Sequence, residues 1–241
     1  MLLYVVIEDQ NKFFFSAAPE VDRLYLRSVR YLDCALPLEL LHKYLKGLTY
    51  SAKDGLERQI TAKIGRGLSQ DGCSLAKDKL IWRFASTPEA AEGKILENSV
   101  LFARFCGLVE GRVIAETEYP LLAQELKIDA KLVPKLLQKA VIESRGEWLP
   151  ALKRISRIAW RCERCGDAAV TEWPSLYGTA ATCQSCKSLG ALSSLQTLFV
   201  SKSMASSGPV NWQPVANWDA GIVNFKNDSS SSSAGSVARM D

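Results

Sequence analysis

The stretch that decides the organisation of this chain reads Cys162-Glu-Arg-Cys165, then seventeen intervening residues, then Cys183-Gln-Ser-Cys186. Two Cys-x-x-Cys pairs at this separation match the spacing of a four-thiolate metal site. Each pair needs one tight turn to point both sulfurs at the same ion, and Gly166 can adopt the left-handed backbone that such a turn often needs. The spacing therefore predicts that Cys162, Cys165, Cys183 and Cys186 bind one Zn²⁺ ion.

Two disulfides or a redox-active Cys-x-x-Cys pair are the alternatives to zinc at these positions. The chain has seven cysteines in 241 residues, and an odd number without a disulfide-scaffold pattern is typical of a reducing compartment. The remaining three, Cys34, Cys73 and Cys106, are predicted to be buried small hydrophobic residues. Four protein ligands leave no position for water or substrate, so the predicted zinc is structural rather than catalytic.

The composition predicts a soluble, cytoplasmic protein. Hydrophobic residues make up 47% of the chain and charged residues 23%, which is enough to bury a sizeable core. The apolar start, residues 1–7, has no basic residues and is followed by Glu8 and Asp9, unlike a signal peptide. No apolar run approaches the length of a membrane span, so none is expected.

The patterns along the chain predict an α+β fold in four parts. These are a mixed α/β N-terminal domain over residues 1–110, a winged-helix-like segment over 111–155, a four-cysteine zinc ribbon over 156–195, and a disordered linker or tail over 196–241, which contains five consecutive serines. Trp160, Trp173 and Tyr177, beside and between the cysteine pairs, either pack on the metal site or offer stacking faces to bases.

Within the N-terminal domain, two apolar runs at 2–7 and 13–15 predict paired strands joined by a turn. Apolar spacing over 19–46 predicts two helices broken by a proline, and similar spacing over 88–109 predicts one further helix. Residues 51–79 are polar and contain four glycines, so loops with a short helix are expected there, and no role is assigned to them.

Residues 121–149 show the order of a winged helix-turn-helix. Two amphipathic helices, at 121–126 and 130–140, flank a short turn, and Asp129 is a plausible N-cap for the second helix. A hairpin is predicted to follow, turning at Arg145-Gly146. In DNA-binding winged helices, the second of these two helices approaches a groove of the nucleic acid.

Basic residues are concentrated just before and within the start of the cysteine region. From Lys127 to Arg161 the chain has nine basic and three acidic residues, a surplus larger than its total net charge of +4. This concentration predicts a polyanionic partner, with an ordinary solvated basic face as the alternative. Three of the lysines are spaced four residues apart and share one helical face. The residues predicted to bind single-stranded DNA are Lys131, Lys135, Lys139, Arg154, Arg157 and Arg161.

The two cysteine pairs, in the contexts Trp160-Arg-Cys162-Glu-Arg-Cys165-Gly166 and Cys183-Gln-Ser-Cys186-Lys-Ser-Leu-Gly190, resemble the zinc module of the ComFA-type late-competence ATPases. These helicase-like proteins of naturally transformable Gram-positive bacteria help to draw single-stranded DNA into the cytoplasm. The resemblance covers about residues 155–192. It implies that the four cysteines are metal ligands, and that the partners are single-stranded DNA and other competence or DNA-uptake proteins.

The chain departs from that family downstream of the cysteines, where the family's ATPase core begins with a tryptophan-glycine segment. Asn217-Trp218-Asp219-Ala220-Gly221-Ile222 is similar to that beginning, but the Thr and Gln expected after it are missing. The sequence contains no Gly-x-x-x-x-Gly-Lys-Ser/Thr loop to cradle nucleotide phosphates. The resemblance therefore implies that this chain is not an enzyme by itself. It is either a truncated or frameshifted product or a free-standing DNA-binding part.

The sequence supports two main functional hypotheses and one weaker alternative. The first is a zinc-dependent module that binds single-stranded DNA, and the second is a protein-interaction adaptor in DNA uptake or recombination. Salt-dependent affinity for oligonucleotides distinguishes them. The third, an enzyme with zinc in its active site, is disfavoured because four thiolates close the site and the sole histidine, His42, lies far away in the sequence.

Overall fold

The structure is a computed structural model that describes residues 1–8, 12–48, 55–73, 80–156 and 159–202. The strands are β1 (Tyr4–Glu8), β2 (Lys12–Ser16), β3 (Val29–Leu32), β4 (Trp82–Phe84), β5 (Val113–Ile114), β6 (Gly146–Pro150), β7 (Leu152–Arg154), β8 (Trp160–Cys162), β9 (Val170–Ser175), β10 (Gly178–Cys183) and β11 (Thr197–Ser201). The α-helices are α1 (Pro19–Tyr25), α2 (Leu38–Leu45), α3 (Leu56–Gln70), α4 (Ala90–Glu97), α5 (Ser99–Val109), α6 (Tyr119–Leu126) and α7 (Val133–Ile142). The mixture of helices and antiparallel sheets confirms the predicted α+β class.

The N-terminal sheet is antiparallel, with the strand order β2-β1-β3-β4. One face, with Val5, Ile7 and Leu32, belongs to the main hydrophobic core. Helix α3 lies on this side, where the Trp82 indole N–H donates to the Thr61 hydroxyl over 3.0 Å. The opposite face carries a much smaller buried cluster. The predicted turn at 9–11 lies outside the described residues.

Two predictions for the N-terminal domain are wrong. The segment 19–46 was expected to be two helices, but it forms α1, β3 and α2. Strand β3 forms because it pairs with β1 on one side and with β4 on the other, which satisfies its backbone groups in the middle of the sheet. The segment 88–109 was expected to be one helix. It is divided into α4 and α5 at Asn98, whose side chain accepts a hydrogen bond from the backbone N–H of Leu101.

Helix α3 falls where the sequence analysis expected loops with only a short helix. It runs for 15 residues through part of the segment 51–79, while 51–54 and 74–79 lie outside the described residues. Its buried positions Leu56, Ile60, Ile64 and Leu68 are spaced by four residues, so they form one apolar stripe against the core. Gly67 lies on this helix because the ring of Tyr44 packs directly against its backbone.

The predicted helix-turn-helix is present as α6 and α7. Lys127 adopts a left-handed conformation (φ 56°) at the end of α6, and the Asp129 side chain accepts a hydrogen bond from the N–H of Lys131 at the start of a short 3₁₀ turn before α7. The predicted hairpin at Arg145-Gly146 is absent from this region. Residues 141 and 142 belong to α7, and the N–H of Arg145 bonds to the carbonyl of Ala140 as the helix ends.

The wing sheet is completed by a strand much later in the sequence. Its order is β5-β11-β6, with all pairs antiparallel. The succession α5, β5, α6, α7, β6, β11 is that of a winged helix-turn-helix in which residues 151–196 replace the wing between its last two strands. Residues 197–201 were assigned to the tail by the sequence analysis, but they form β11 of this sheet. Residues beyond 202 lie outside the described ranges.

Besides the small cluster on the outer face of the N-terminal sheet, two larger hydrophobic cores hold the structure together. The larger one is shared by the N-terminal sheet and the winged helix, since Leu3, Leu136 and Phe199 belong to the same cluster. The smaller core surrounds the four cysteines. Within the described ranges, none of the helices has the length and apolar character that crossing a bilayer requires.

Candidate metal centre

The first cysteine pair lies at the end of β8. Cys162 is the last residue of this strand, and the N–H of Gly166 donates to its carbonyl over 2.9 Å, closing the turn that carries Cys165. Gly166 has a φ of 75°, which is the left-handed conformation that glycine adopts without steric cost. The prediction that Gly166 adopts a left-handed conformation in the first cysteine turn is therefore confirmed.

The second cysteine pair lies at the end of the hairpin formed by β9 and β10. Cys183 is the last residue of β10, where its N–H donates to the carbonyl of Leu192 over 2.9 Å. Cys186 directly precedes a 3₁₀ turn (Lys187–Leu189). Both pairs thus follow the end of a strand, and the two strands bring them together within one small core.

The four sulfur atoms form a compact cluster. All of them lie within 4.8 Å of one another, with 3.8 Å between the Sγ atoms of Cys162 and Cys186 and 3.6 Å between those of Cys165 and Cys183. All four cysteines are free thiols. This arrangement can hold one metal ion, and Cys162, Cys183 and Cys186 are buried around it.

Protonation of the thiols opposes metal binding. Burial raises the pKa values of Cys162 and Cys183 above those of ordinary thiols, although backbone N–H groups near each sulfur act in the opposite direction. Burial also acts to raise the pKa of Cys165, but hydrogen bonds from the Asp167 backbone and from the neighbouring thiols lower it overall. A metal ion must therefore displace protons from buried sulfurs, which makes its affinity pH-dependent.

The aromatic residues of the module differ in their roles. Trp160 is buried in the small core and its indole N–H donates to Glu172 over 2.6 Å. The Arg154 guanidinium lies 4.5 Å from the centre of the Trp160 ring and also reaches Glu172. Trp173 is more exposed, with its N–H bonded to the Thr182 hydroxyl. Trp160 is therefore a packing residue, as one of the two sequence-based interpretations had it.

Two sets of contacts attach the module to the rest of the chain. On one side, Glu118 and Arg112, which precede the module in the sequence, lie 3.5 Å apart. The charge of Arg164, which belongs to the module, also acts on the Glu118 carboxylate. Burial raises the pKa of Glu118 even though both cations act to lower it. Arg164 comes from the first cysteine turn and donates to the Gly190 carbonyl over 2.9 Å. On the other side, the Cys73 thiol contacts the Leu176 carbonyl over 3.1 Å at the tip of the β9–β10 hairpin.

The structure does not bring the three predicted lysines onto a free basic face. The Lys131 side chain is 74% exposed and lies 3.4 Å from Asp129. Lys135 is only 17% exposed and pairs with Glu20 and Glu92. Lys139 is 7% exposed, donates to the Leu96 carbonyl over 2.7 Å, and lies 4.1 Å from the centre of the Phe102 ring. Lys135 and Lys139 are thus engaged in contacts with α1, α4 and α5, because those elements pack on α7.

The three predicted arginines have different surroundings. Arg154 is engaged by Trp160 and Glu172, as described above. Arg161 is half-exposed on β8 and pairs with Glu163 over 3.2 Å. Arg157 lies outside the described residues. Of the six residues predicted to bind DNA, Lys131 and Arg161 are therefore the two that the structure shows on the surface.

Lys153 belongs to the basic stretch from Lys127 to Arg161 but was not among the six residues predicted to bind DNA. It lies directly opposite Arg161 in the antiparallel pair of β7 and β8. Both side chains are exposed. Like charges at directly opposed positions destabilise a sheet unless an anion lies between them. Lys153 also acts on His42 of α2, whose pKa is lowered by burial and by this cation. The pairing depends on a strand register that the sequence alone does not reveal, so the basic stretch included Lys153 without showing that it lies opposite Arg161.

His42 shows no catalytic surroundings among the described residues. Its ring lies 5.3 Å from that of Phe15, and the cysteine cluster is the one group of potential metal ligands found within the described ranges. Comparisons of this chain with protein-family models, with curated proteins and with solved structures found no match. The functional argument therefore depends on the chemistry of the chain itself.

Proposed function

We propose that the four cysteines hold a structural Zn²⁺ ion. Zinc-thiolate bonds of about 2.3 Å in a regular tetrahedron place the sulfurs about 3.8 Å apart. Two Sγ distances between the pairs, 3.6 and 3.8 Å, are close to this value. Soft thiolate ligands favour zinc over hard cations such as Mg²⁺ and Ca²⁺. When bound, the ion supplies folding free energy and no open coordination position.

We also propose that this zinc-stabilised module binds single-stranded DNA through the β7–β8 hairpin. The observation that carries this proposal is the exposed, directly opposed pair Lys153 and Arg161, with His42 close enough for its pKa to respond to Lys153. Phosphates bound between the two cations would relieve their repulsion, and they would compete with the Glu163 carboxylate for Arg161. This location replaces the lysine face of α7, where Lys135 and Lys139 serve packing.

The relation to the competence ATPases is part of this proposal. It is supported by the cysteine pattern and its neighbouring residues, and it accounts for a chain in which a zinc module is joined to DNA-binding surfaces. The sequence lacks a phosphate-binding loop, so we expect no ATP hydrolysis, with or without DNA. A coupled ATPase assay in which DNA stimulates turnover by the purified chain would contradict this expectation.

The test of DNA binding is the salt dependence of affinity for a labelled single-stranded oligonucleotide. Each phosphate contact on a single strand contributes roughly 0.7 to the log–log slope. Changing Lys153 and Arg161 together to alanine should reduce the slope by about 1.4 and weaken binding to all sequences alike, because such contacts carry no base information. Lys131→Ala is the control, since Lys131 is also exposed but lies on a different element, in the turn before α7.

Two results would contradict this assignment. Failure of the wild-type protein to bind oligonucleotides at low salt would exclude the function. Equal effects of the Lys131 change and of the double change would remove the hairpin as the site. In the first case the adaptor hypothesis is favoured, because an apolar groove with a volume of about 370 Å³ lies between β2, α7 and β6. Phe15, Val141 and Trp148 line this groove, which suits a protein partner better than a polyanion.

A further inference from the structure

An apolar groove runs beside β2, at the edge of the N-terminal sheet. Its volume is about 370 Å³, and its walls are formed by β2, α7 and the start of β6. The apolar residues that line it include Phe14, Phe15, Val141, Ile142 and Trp148. Strand β2 is the last strand of its sheet, and an edge strand offers its outer main-chain groups to an extended chain. The groove therefore suits an extended, apolar peptide segment.

Two polar side chains also line the groove, and they have different surroundings. The Gln138 amide is engaged inside the protein, where it bonds to Asp22, to the Trp148 indole and to the N–H of Ala17. Glu147 is exposed at the start of β6. A buried indole N–H needs a hydrogen-bond acceptor, so a carboxylate at the rim of an apolar groove fits a tryptophan side chain. The same carboxylate disfavours an acidic occupant.

The described part of the chain ends next to this groove, at Lys202. The N–H of Lys202 donates to the carbonyl of Arg145 over 2.8 Å. Glu147 follows Arg145 by two residues, so the Cα atoms of these two residues are at most about 8 Å apart. The sequence continues from Lys202 through residues 203–241. Ten residues of extended chain span up to about 35 Å, so a residue near position 212 can reach any part of the groove.

The segment that follows Lys202 has the composition that the groove requires. Residues 203–218 contain no charged side chain, and Trp212 lies two residues before Pro214. A proline favours extended backbone in the residue before it. The second tryptophan, Trp218, is directly followed by Asp219, whose charge would be brought close to Glu147. Trp212 is therefore the better match to a groove with a carboxylate at its rim.

We infer that Trp212 docks in this groove, with its indole N–H donating to the Glu147 carboxylate, so that the residues after Lys202 fold back along the edge of β2. Another cavity, of about 420 Å³, also lies beside Lys202, but charged residues such as Lys139, Glu143 and Arg145 line it, which makes it a poorer site for an uncharged segment. The docked segment covers the apolar surface that the adaptor hypothesis assigns to a protein partner.

The test is the exchange of tryptophan indole protons with water, measured by NMR spectroscopy on the ¹⁵N-labelled full chain with its metal. Trp212→Phe and Trp218→Phe assign the two signals. The Trp212 proton should exchange at least about tenfold more slowly than the Trp218 proton, because a hydrogen bond to a charged acceptor contributes a factor of this order. Glu147→Ala should abolish the difference.

Ile142→Lys places a charge in the groove and should also abolish the protection of Trp212. Val100→Lys is the matched control, since Val100 is an exposed apolar residue of α5 that does not line the groove, and it should leave both signals unchanged. These two variants separate an effect on the groove from a general effect of an added lysine on an apolar helix position.

Three results would overturn the inference. The first is fast exchange of both indole protons in the wild type. The second is slow exchange of Trp218 instead of Trp212, with sensitivity to Ile142→Lys. The third is protection of Trp212 that disappears on dilution, because the groove is then filled by a second copy of the chain. DNA binding is tested independently of all three by the changes at Lys153 and Arg161.

Discussion

Asp22 shows how a single buried side chain joins three elements of this protein. Its Oδ1 accepts from the Gln138 amide over 2.7 Å, and the Gln138 carbonyl oxygen accepts from the Trp148 indole over 2.9 Å and from the N–H of Ala17 over 3.0 Å. The network links α1, α7 and β6. Burial raises the pKa of Asp22 from 3.8 to about 7, against the opposing effect of hydrogen bonds from Ser16 and Gln138.

This raised pKa predicts a loss of stability with increasing pH. The folded protein holds the Asp22 proton more tightly than the unfolded chain, so its contribution to the unfolding free energy is fully present below pH 3.8 and is lost as the pH rises through about 7. The loss amounts to about 4 kcal/mol at most. Asp22→Asn should remove it, so the stability difference between variant and wild type should grow from pH 5 to pH 8.

Chemical denaturation of the zinc-loaded proteins at several pH values measures this difference. Glu125→Gln serves as the control, because Glu125 is exposed and its pairing with Arg104 is on the surface. Parallel pH profiles for the wild type and Asp22→Asn would show that Asp22 is ionised in the folded protein at low pH as well. That result would contradict the protonated network.

Replacement of Lys135 by alanine tests whether this residue has a packing role or a DNA-binding role. Its Nζ lies 2.6 Å from Glu92 and 3.1 Å from Glu20, so Lys135→Ala leaves two carboxylates without their shared cation. We expect a loss of about 1–3 kcal/mol in unfolding free energy and unchanged affinity for oligonucleotides. Lys131→Ala, at an exposed position, should change stability by less than about 0.5 kcal/mol. A large drop in affinity for Lys135→Ala at full stability would contradict this assignment.

At the scale of elements, the sequence predicted features that depend on local spacing. The two cysteine turns and the helix-turn-helix need only short-range geometry, so their positions were predicted well. Strand β3 was predicted as helix, because its conformation is set by β1 and β4 on either side rather than by its own apolar spacing. The sequence analysis missed helix α3 because it gave the glycines of this segment more weight than the regular apolar stripe, which begins at Leu56 and ends at Leu68.

The basic residues show the same limit of prediction from local spacing. The spacing of Lys131, Lys135 and Lys139 correctly placed them on one helix, but it did not reveal that α1, α4 and α5 pack against that helix. The partners Glu20, Glu92 and the Leu96 carbonyl lie 40 or more residues away in the sequence, beyond the reach of periodicity. The pairing of Lys153 with Arg161, on which the proposed DNA site depends, is set by the register of two strands, which is likewise a tertiary property.

Gly146 tests the packing of the wing sheet. A Cβ atom at this position would lie 2.2 Å from the Phe199 ring and 2.9 Å from the Val200 carbonyl oxygen. Gly146→Ala should therefore lower the unfolding free energy by about 1–3 kcal/mol or more. Gly107→Ala is the control, because Gly107 lies in α5 with open space around it, and there alanine should stabilise the helix by roughly 1 kcal/mol. Equal effects in thermal denaturation would contradict the close contact of β6 and β11.

At the scale of the whole molecule, the four-cysteine module is inserted within the winged helix rather than attached beside it. Residues 151–196 connect β6 to β11, which are neighbours in the wing sheet. Glu118 pairs with Arg112, and the charge of Arg164 in the first cysteine turn also acts on the Glu118 carboxylate. Loss of the metal should therefore also lower the stability of structure outside the module. We expect the wing sheet, which contains β6 and β11, to lose stability together with the four-cysteine module.

Metal removal provides the corresponding prediction. Treatment with a strong chelator, or the change Cys165→Ser, should abolish the contribution of zinc to folding. A loss of about 3 kcal/mol would lower the melting temperature of a protein of this size by roughly 6–12 °C. Lys187→Ala, an exposed change beside Cys186, should leave the melting temperature of the zinc-loaded protein unchanged. An unaltered transition after complete chelation would show that the module contributes nothing to the stability of the winged helix.

The central claim of this account is that the four cysteines form one structural zinc site. Its most direct test is to measure zinc content by elemental analysis of protein purified without added metal, together with the release of zinc as thiols are modified. We predict one zinc per chain, released as four thiols react, and no zinc in Cys165→Ser. Stoichiometric disulfides between these cysteines, with no bound zinc, would contradict the claim.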